Sequence, residues 1–157
     1  MIVLDTNVLS ELMGAKPHKG VLRWLSTQPA SSLYTTTVTQ AEIFYGVRLL
    51  PSGRRRDGLM SAVEDMFAMD FHGRILPFDE DAAHAYAQIA VQRRQSGRPI
   101  SQYDAQIAGI ARSRDADIAT RNVNDFVNCG IRVFNPWQES GQKSGHPPSP
   151  DSLPTGD

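Results

Sequence analysis

Asp5, Glu42 and Asp104 are the residues of this sequence best placed to do chemistry. Asp5 closes the run Met1-Ile-Val-Leu-Asp5, which reads as a short buried strand ending in a carboxylate, and open parallel sheets carry their sites at that carboxyl edge. Glu42 and Asp104 fall in the first turns of two expected helices, each beside an apolar stretch that could cover such a sheet. Each acid also has an ordinary structural role open to it. Asp5 precedes Thr-Asn-Val-Leu-Ser and can cap a helix, while Thr39-Gln-Ala-Glu42 and Ser101-Gln-Tyr-Asp104 both have capping-box spacing. Jointly the three acids point elsewhere: carboxylates converging from three strand-to-helix edges repel one another unless a cation offsets them. Every donor is oxygen, with no His or Cys cluster alongside, which favours Mg²⁺ or Mn²⁺ over Zn²⁺. Such an ion keeps several waters and meets phosphate oxygens, so the expected chemistry is phosphodiester hydrolysis by an activated water.

A fourth position is open between two readings. In Ala119-Thr-Arg-Asn122-Val-Asn-Asp125-Phe, Asp125 can face the crevice at a strand end, or Asn122 can start a helical turn with Asp125 as its box partner. The histidines, His18, His72, His84 and His146, are scattered and read as surface or packing residues. Arg54-Arg55-Arg56 and the pair Arg93-Arg94 could steer a polyanion, but read more simply as solvated helix faces. An aspartyl-phosphate chemistry at Asp5 is a rival, weakened because Asn7 stands where it wants a second acid and no lysine lies nearby.

The elements that must position these residues alternate. A strand to Leu4 leads into a helix over 8–13 that ends near Gly14, and Val21, Leu22 and Leu25 repeat at helical spacing. A β-branched run over 32–38 reads as a second strand, followed by a helix over about 39–50 that stops before Pro51. Leu59, Met60, Val63, Met66 and Phe67 form a helical stripe within 59–71, and 74–78 is a short strand. An alanine-rich helix runs from Asp79 to about Gln95, halted by Ser96-Gly-Arg-Pro99, and another opens at Ser101 and runs to about Ser113. Two last strands fall at 117–120 and 131–134. Alternation of this kind argues for an α/β fold with a parallel sheet.

With 157 residues the chain suits one domain, and a chain of this size hides roughly 70% of its unfolded surface. The net charge of −1 argues against a broad basic face that grips nucleic acid unspecifically. The single cysteine, Cys129, cannot form an internal disulfide, fits a reducing cytoplasmic compartment, and reads as a small buried hydrophobe. No signal peptide or membrane span is expected, because the opening apolar run stops at Asp5 and about 18 consecutive apolar residues occur nowhere. After Trp137 the chain turns to Gly, Ser, Pro and Gln, which sets a domain at 1–137 and an expected disordered tail at 138–157.

Four stretches in order carry a resemblance: Met1-Ile-Val-Leu-Asp5-Thr-Asn-Val-Leu-Ser-Glu, Thr37-x-x-x-Ala41-Glu42-Ile-x-x-Gly46, Asp104-Ala-Gln-Ile-Ala, and Ala119-Thr120-Arg-Asn122-x-x-Asp125-Phe followed by Phe134-Asn-Pro-Trp137. Over residues 1–137 the chain resembles a PIN-domain ribonuclease toxin of the VapC or FitB type. The resemblance implies a five-stranded parallel sheet flanked by helices, Mg²⁺- or Mn²⁺-dependent endonucleolytic cleavage of RNA, and a homodimer. It also implies neutralisation by a cognate antitoxin, with DNA reached only through that antitoxin. Residue by residue it marks Asp5, Glu42 and Asp104 as acidic metal-site residues, with Thr6 and Thr120 as polar neighbours. At the fourth position some relatives place aspartate where this chain has Asn122, and others keep asparagine there with an acid three residues on, as at Asp125. The alternative function is a catalytically weak or inactive module that acts with its antitoxin as a DNA-bound repressor complex.

Overall fold

In the computed structural model, which describes residues 1–138, five parallel strands form one sheet. Strands β1 (Ile2–Leu4), β2 (Leu33–Thr36), β3 (Ile75–Leu76), β4 (Asp117–Ala119) and β5 (Val133–Phe134) lie in the order β3-β2-β1-β4-β5. The chain steps outward from β1 to β3 and then returns to the other side of β1, so the topological switch point lies between β1 and β4. Crevices open at such points beyond the carboxyl ends of the strands. The expected α/β architecture is therefore the observed one.

Period-two alternation in β1 builds two cores, one on each face of the sheet. Val3 joins Leu76, Ile107, Ile110, Ile118 and Phe126, whereas Ile2 and Leu4 join Val8, Leu9, Val21, Trp24, Ile43 and Phe67. The second core is covered by α1 (Thr6–Met13), α2 (Lys19–Ser26), α3 (Thr37–Arg48) and α4 (Arg54–Asp65). The first is covered chiefly by α5 (Glu80–Gln95) and α6 (Gln102–Ser113). Cys129 is buried in that core, as its expected role requires.

α5 and α6 approach closely at Gly109. A Cβ built there would stand 2.7 Å from the Ala82 carbonyl oxygen and 2.9 Å from the Tyr86 amide nitrogen, both backbone atoms that cannot swing away. Gly109→Ala gains about 1 kcal/mol of helix propensity but forces the helices apart, so a net loss of about 2 kcal/mol is expected. A thermal melt should register that loss as a fall of about 4–8 °C.

Both ends of the helix expected over 59–71 shift. α4 begins at Arg54, not Leu59, because its first turn is polar and carries no apolar stripe; Arg54, Arg55 and Arg56 open it. The same helix does not run unbroken to Phe71: residues Met66–Asp70 form a π-helical turn that seats Phe67 and Phe71 inside. The Arg74 guanidinium closes this corner by donating to the carbonyls of Ala30, Leu33 and Asp70. His18 caps α2 through its ring, whose Nδ1 accepts the Gly20 N–H at 3.1 Å. Of the expected tail, residues 139–157 lie outside the described residues.

Candidate functional site

Asp5 follows the last residue of β1 and still pairs with β4 through its N–H to the Ala119 carbonyl at 3.0 Å. Its side chain is then directed to the sheet edge and does two things at once. Oδ1 accepts the Thr6 N–H at 2.8 Å, which caps α1, and Oδ2 accepts the Thr120 hydroxyl at 2.8 Å and the Asn7 amide at 3.3 Å. The capping and crevice readings of Asp5 thus hold together. The carboxylate is only 5% exposed, and its donors are all neutral.

Glu42 needs a correction. β2 stops at Thr36, whose extended backbone and hydroxyl cap the next helix by accepting the Thr39 N–H at 3.0 Å. α3 therefore starts two residues early, the Thr39–Glu42 box does not form, and Glu42 lies in the second turn. Freed from capping, its Oε1 accepts the Thr6 hydroxyl at 2.9 Å, and that hydroxyl also lies 3.1 Å from Thr39 Oγ1. A carboxylate accepts only, so the Thr6 proton goes to Glu42. Asp104 is placed as its spacing foretold: Ser101 caps α6 and accepts the Asp104 N–H at 3.2 Å.

The three acids are near enough to act on one another. Burial, opposed by the Thr120 and Thr6 hydrogen bonds and reinforced by the charges of Asp104 and Glu42, raises the Asp5 carboxyl from 3.8 to about 6. Burial likewise raises Glu42 against its Thr6 bond, with Asp104 adding to the effect. Asp104 is raised first by burial and then by Asp125, against the Ser101 bond and the Arg93 charge. Both ion pairs of the described residues, Arg114 with Asp79 and Arg132 with Asp117, lie elsewhere. Among those residues no three Asp, Glu, His or Cys side chains close into a ready cation cage. An all-oxygen donor set of mutually repelling carboxylates, open rather than closed, suits a hard divalent ion that retains much of its water. The residues present therefore fit the expected ion.

At the fourth position the turn forms and the box does not. Val123–Phe126 is a 3₁₀ turn, the Asp125 N–H donates to the Asn122 carbonyl at 3.0 Å, and Asn122 makes no side-chain cap. Asn122 is tied to the crevice through its own N–H, which donates to Thr120 Oγ1 at 3.1 Å. Asp125 is tied by charge, through its effect on Asp104.

Two contributors escaped the sequence reading. Asn7 was legible as the second residue after Asp5 but not as a bridge: its amide donates to Asp5 and to Thr120 Oγ1 at 3.1 Å, and its Oδ1 accepts the Arg121 N–H at 3.2 Å. Arg93, expected on a solvated face with Arg94, is 4% exposed. The cause is periodic: Ala82, Ala85 and Ile89 are the buried stripe of α5, and a further four-residue step lands on Arg93.

Thr120 is the knot of this network, donating to Asp5 and accepting from Asn7 and Asn122. Thr120→Val removes all three bonds in a fully buried position, and a loss of about 1–3 kcal/mol is expected in urea denaturation. Thr120→Ser should restore most of it.

Compared with known proteins, residues 2–128 match the family model described as PIN domain. A VapC ribonuclease of Sinorhizobium fredii is 39% identical over 138 residues, covering 88% of this chain and 99% of the relative. The toxin FitB of Neisseria gonorrhoeae is 38% identical over 139 residues, covering 88% of this chain and 100% of FitB. The solved structure of FitAB bound to a DNA fragment superposes with a TM-score of 0.82 at 39% identity, over 87% of this chain and 96% of that one.

Proposed function

The chain belongs to the PIN domain family, and we propose that it is the toxin of a type II toxin–antitoxin system, an endoribonuclease that depends on Mg²⁺ or Mn²⁺. One observation carries the reading: Asp5, buried at the carboxyl edge of the sheet, is driven up to about 6 by burial and by the charges of Asp104 and Glu42. A buried carboxylate perturbed in this way at a topological switch point is a candidate working site.

Asp5 and Asp104 would hold the principal ion, Glu42 would reach it directly or through water, and Asp125 with Asn122 would complete the shell or position the attacking water. When bound, the ion supplies water activation near neutral pH and offsets charge on the phosphodiester. The chain's own part is preorganisation. Thr120 and Asn7 fix one oxygen of Asp5, and the Thr6 N–H fixes the other. The Thr6 hydroxyl turns Glu42 toward the same crevice. With its rotamers locked before substrate arrives, the site reorganises little as charge develops in the transition state. RNA enters from the open side, and cleavage is internal to the strand.

The FitAB complex on DNA supports a cognate antitoxin as partner, with DNA reached only through it. Tyr45 on α3 and Leu49, four residues on at its C-cap, are 67% and 66% exposed and support a homodimer that covers them. No described helix is long and apolar enough to cross a membrane, and we place the activity in the cytoplasm.

Expression in a bacterial host tests the reading. Growth should arrest, recover with the co-expressed antitoxin, and continue unaffected by the Asp5→Asn, Asp104→Asn double variant. Undisturbed growth with folded, antitoxin-free protein would favour the inactive repressor module.

A further inference from the structure

Behind the carboxylates the fold buries a cation. Arg93, near the end of α5, donates through Nε to the Arg98 carbonyl at 2.7 Å. Its Nη1 donates to the carbonyls of Asp125 at 2.8 Å and Val127 at 2.9 Å, and lies 3.8 Å from the Cys129 sulfur. The first bond holds the turn that leads from α5 to Ser101, the cap of the helix bearing Asp104. The next two hold the turn that presents Asp125. One planar guanidinium, 4% exposed, thus joins the segment that leads to Asp104 with the segment that bears Asp125, whose charge acts on Asp104. A helix of this length could end on an alanine or leucine at the same place on its buried stripe. A buried charge is costly to keep unless its donors are met, and here Nε and Nη1 are met by backbone carbonyls of the site loops.

We propose that Arg93 is a positioning residue: by gripping the Arg98, Asp125 and Val127 carbonyls it sets the separation of Asp125 from Asp104 at which both can serve one divalent ion. The inference rests on the proposed metal site and adds a residue that touches neither ion nor RNA. Lysine keeps the charge but presents a compact ammonium without the fork, so it cannot span three carbonyls in the same geometry.

The test is a double-mutant cycle read as Mn²⁺ affinity by calorimetry at 10 °C on the full chain. Its members are the parent, Arg93→Lys, Asp125→Ala and the double variant, with Arg93→Gln as a second replacement if lysine does not give a cooperative melt. Removing a supporting partner typically weakens metal binding 10–100-fold, so Arg93→Lys should weaken Mn²⁺ about tenfold in the parent. In the Asp125→Ala background the same change should cost less than about twofold, because the acid that it positions is gone. Hydrogen exchange at the amides of 125–129 should quicken in step. An equal loss in both backgrounds, or none in either, overturns the positioning role. Asp5→Asn separates this from the reading on which it rests: Mn²⁺ binding lost there but unchanged by the Arg93 variants rejects Arg93 alone, whereas no Mn²⁺ binding by the parent rejects both.

Discussion

Asp5→Asn is expected to lower RNA cleavage by about three orders of magnitude, equivalent to about 4 kcal/mol of transition-state stabilisation, while leaving a folded and more stable chain. The two effects have one cause. Asparagine caps helices as well as aspartate, so the bond to the Thr6 N–H at 2.8 Å survives the change. Its NH2 group then stands where Oδ2 accepted the Thr120 hydroxyl and the Asn7 amide, so those two bonds are lost or reversed. The larger effect is the loss of the charge, which sits 5% exposed beside two other acids. Removing it relieves the metal-free fold and would strip the proposed ion of a carboxylate. Single-turnover cleavage and a melt at pH 7 decide the matter. Cleavage retained with stability unchanged would make Asp5 a cap and nothing more.

The second expectation concerns pH. Asp5 has a folded value of about 6 against 3.8 for the free group, so between these the folded chain holds a proton that the unfolded chain has released. Stability from this group is complete below about 3.8 and is lost as pH rises through about 6. The difference of about 2 units corresponds to at most about 3 kcal/mol. Glu42 and Asp104 are raised too and act in the same direction. Asp79, lowered by the Ala82 N–H and by Arg114, acts in the opposite sense and is lost in acid. The contribution of Asp5 is therefore read as the gap between parent and Asp5→Asn in urea denaturation with EDTA. That gap should move in favour of the variant as pH rises from about 4 to 7. Saturating Mn²⁺ should close it from the parent's side, since a ligand at a hundredfold its Kd adds about 2.7 kcal/mol. A gap indifferent to pH and to Mn²⁺ would mean that Asp5 is not the strained carboxylate described here.

Much of this was written in local pattern. The apolar run into Asp5, the Ser101 cap before Asp104 and the alternation of strands and helices all depend on neighbours within a few residues, and all appear where expected. Glu42 does not sit in the first turn that its capping-box spacing implies. Thr35, Thr36, Thr37 and Thr39 all carry hydroxyls, and spacing alone does not say which one caps; the end of β2 at Thr36 does. The start of α4 was hidden because arginines give no apolar rhythm, and the π turn because five-residue closure leaves the same stripe. Least legible were contacts across long stretches of chain. Asn7 meets Thr120 from 113 positions away, and Arg93 meets the Asp125 carbonyl from 32. No periodicity encodes such pairs, although the buried stripe of α5 did point at Arg93.

The most direct test of the account is cleavage of a mixed RNA pool by the antitoxin-free chain in Mg²⁺ or Mn²⁺, beside an EDTA control and the Asp5→Asn, Asp104→Asn double variant. Internal cuts that require the metal and vanish in the variant are predicted. Cutting that persists in EDTA or in the double variant, or no cutting by a folded parent shown to bind Mn²⁺, would contradict the site.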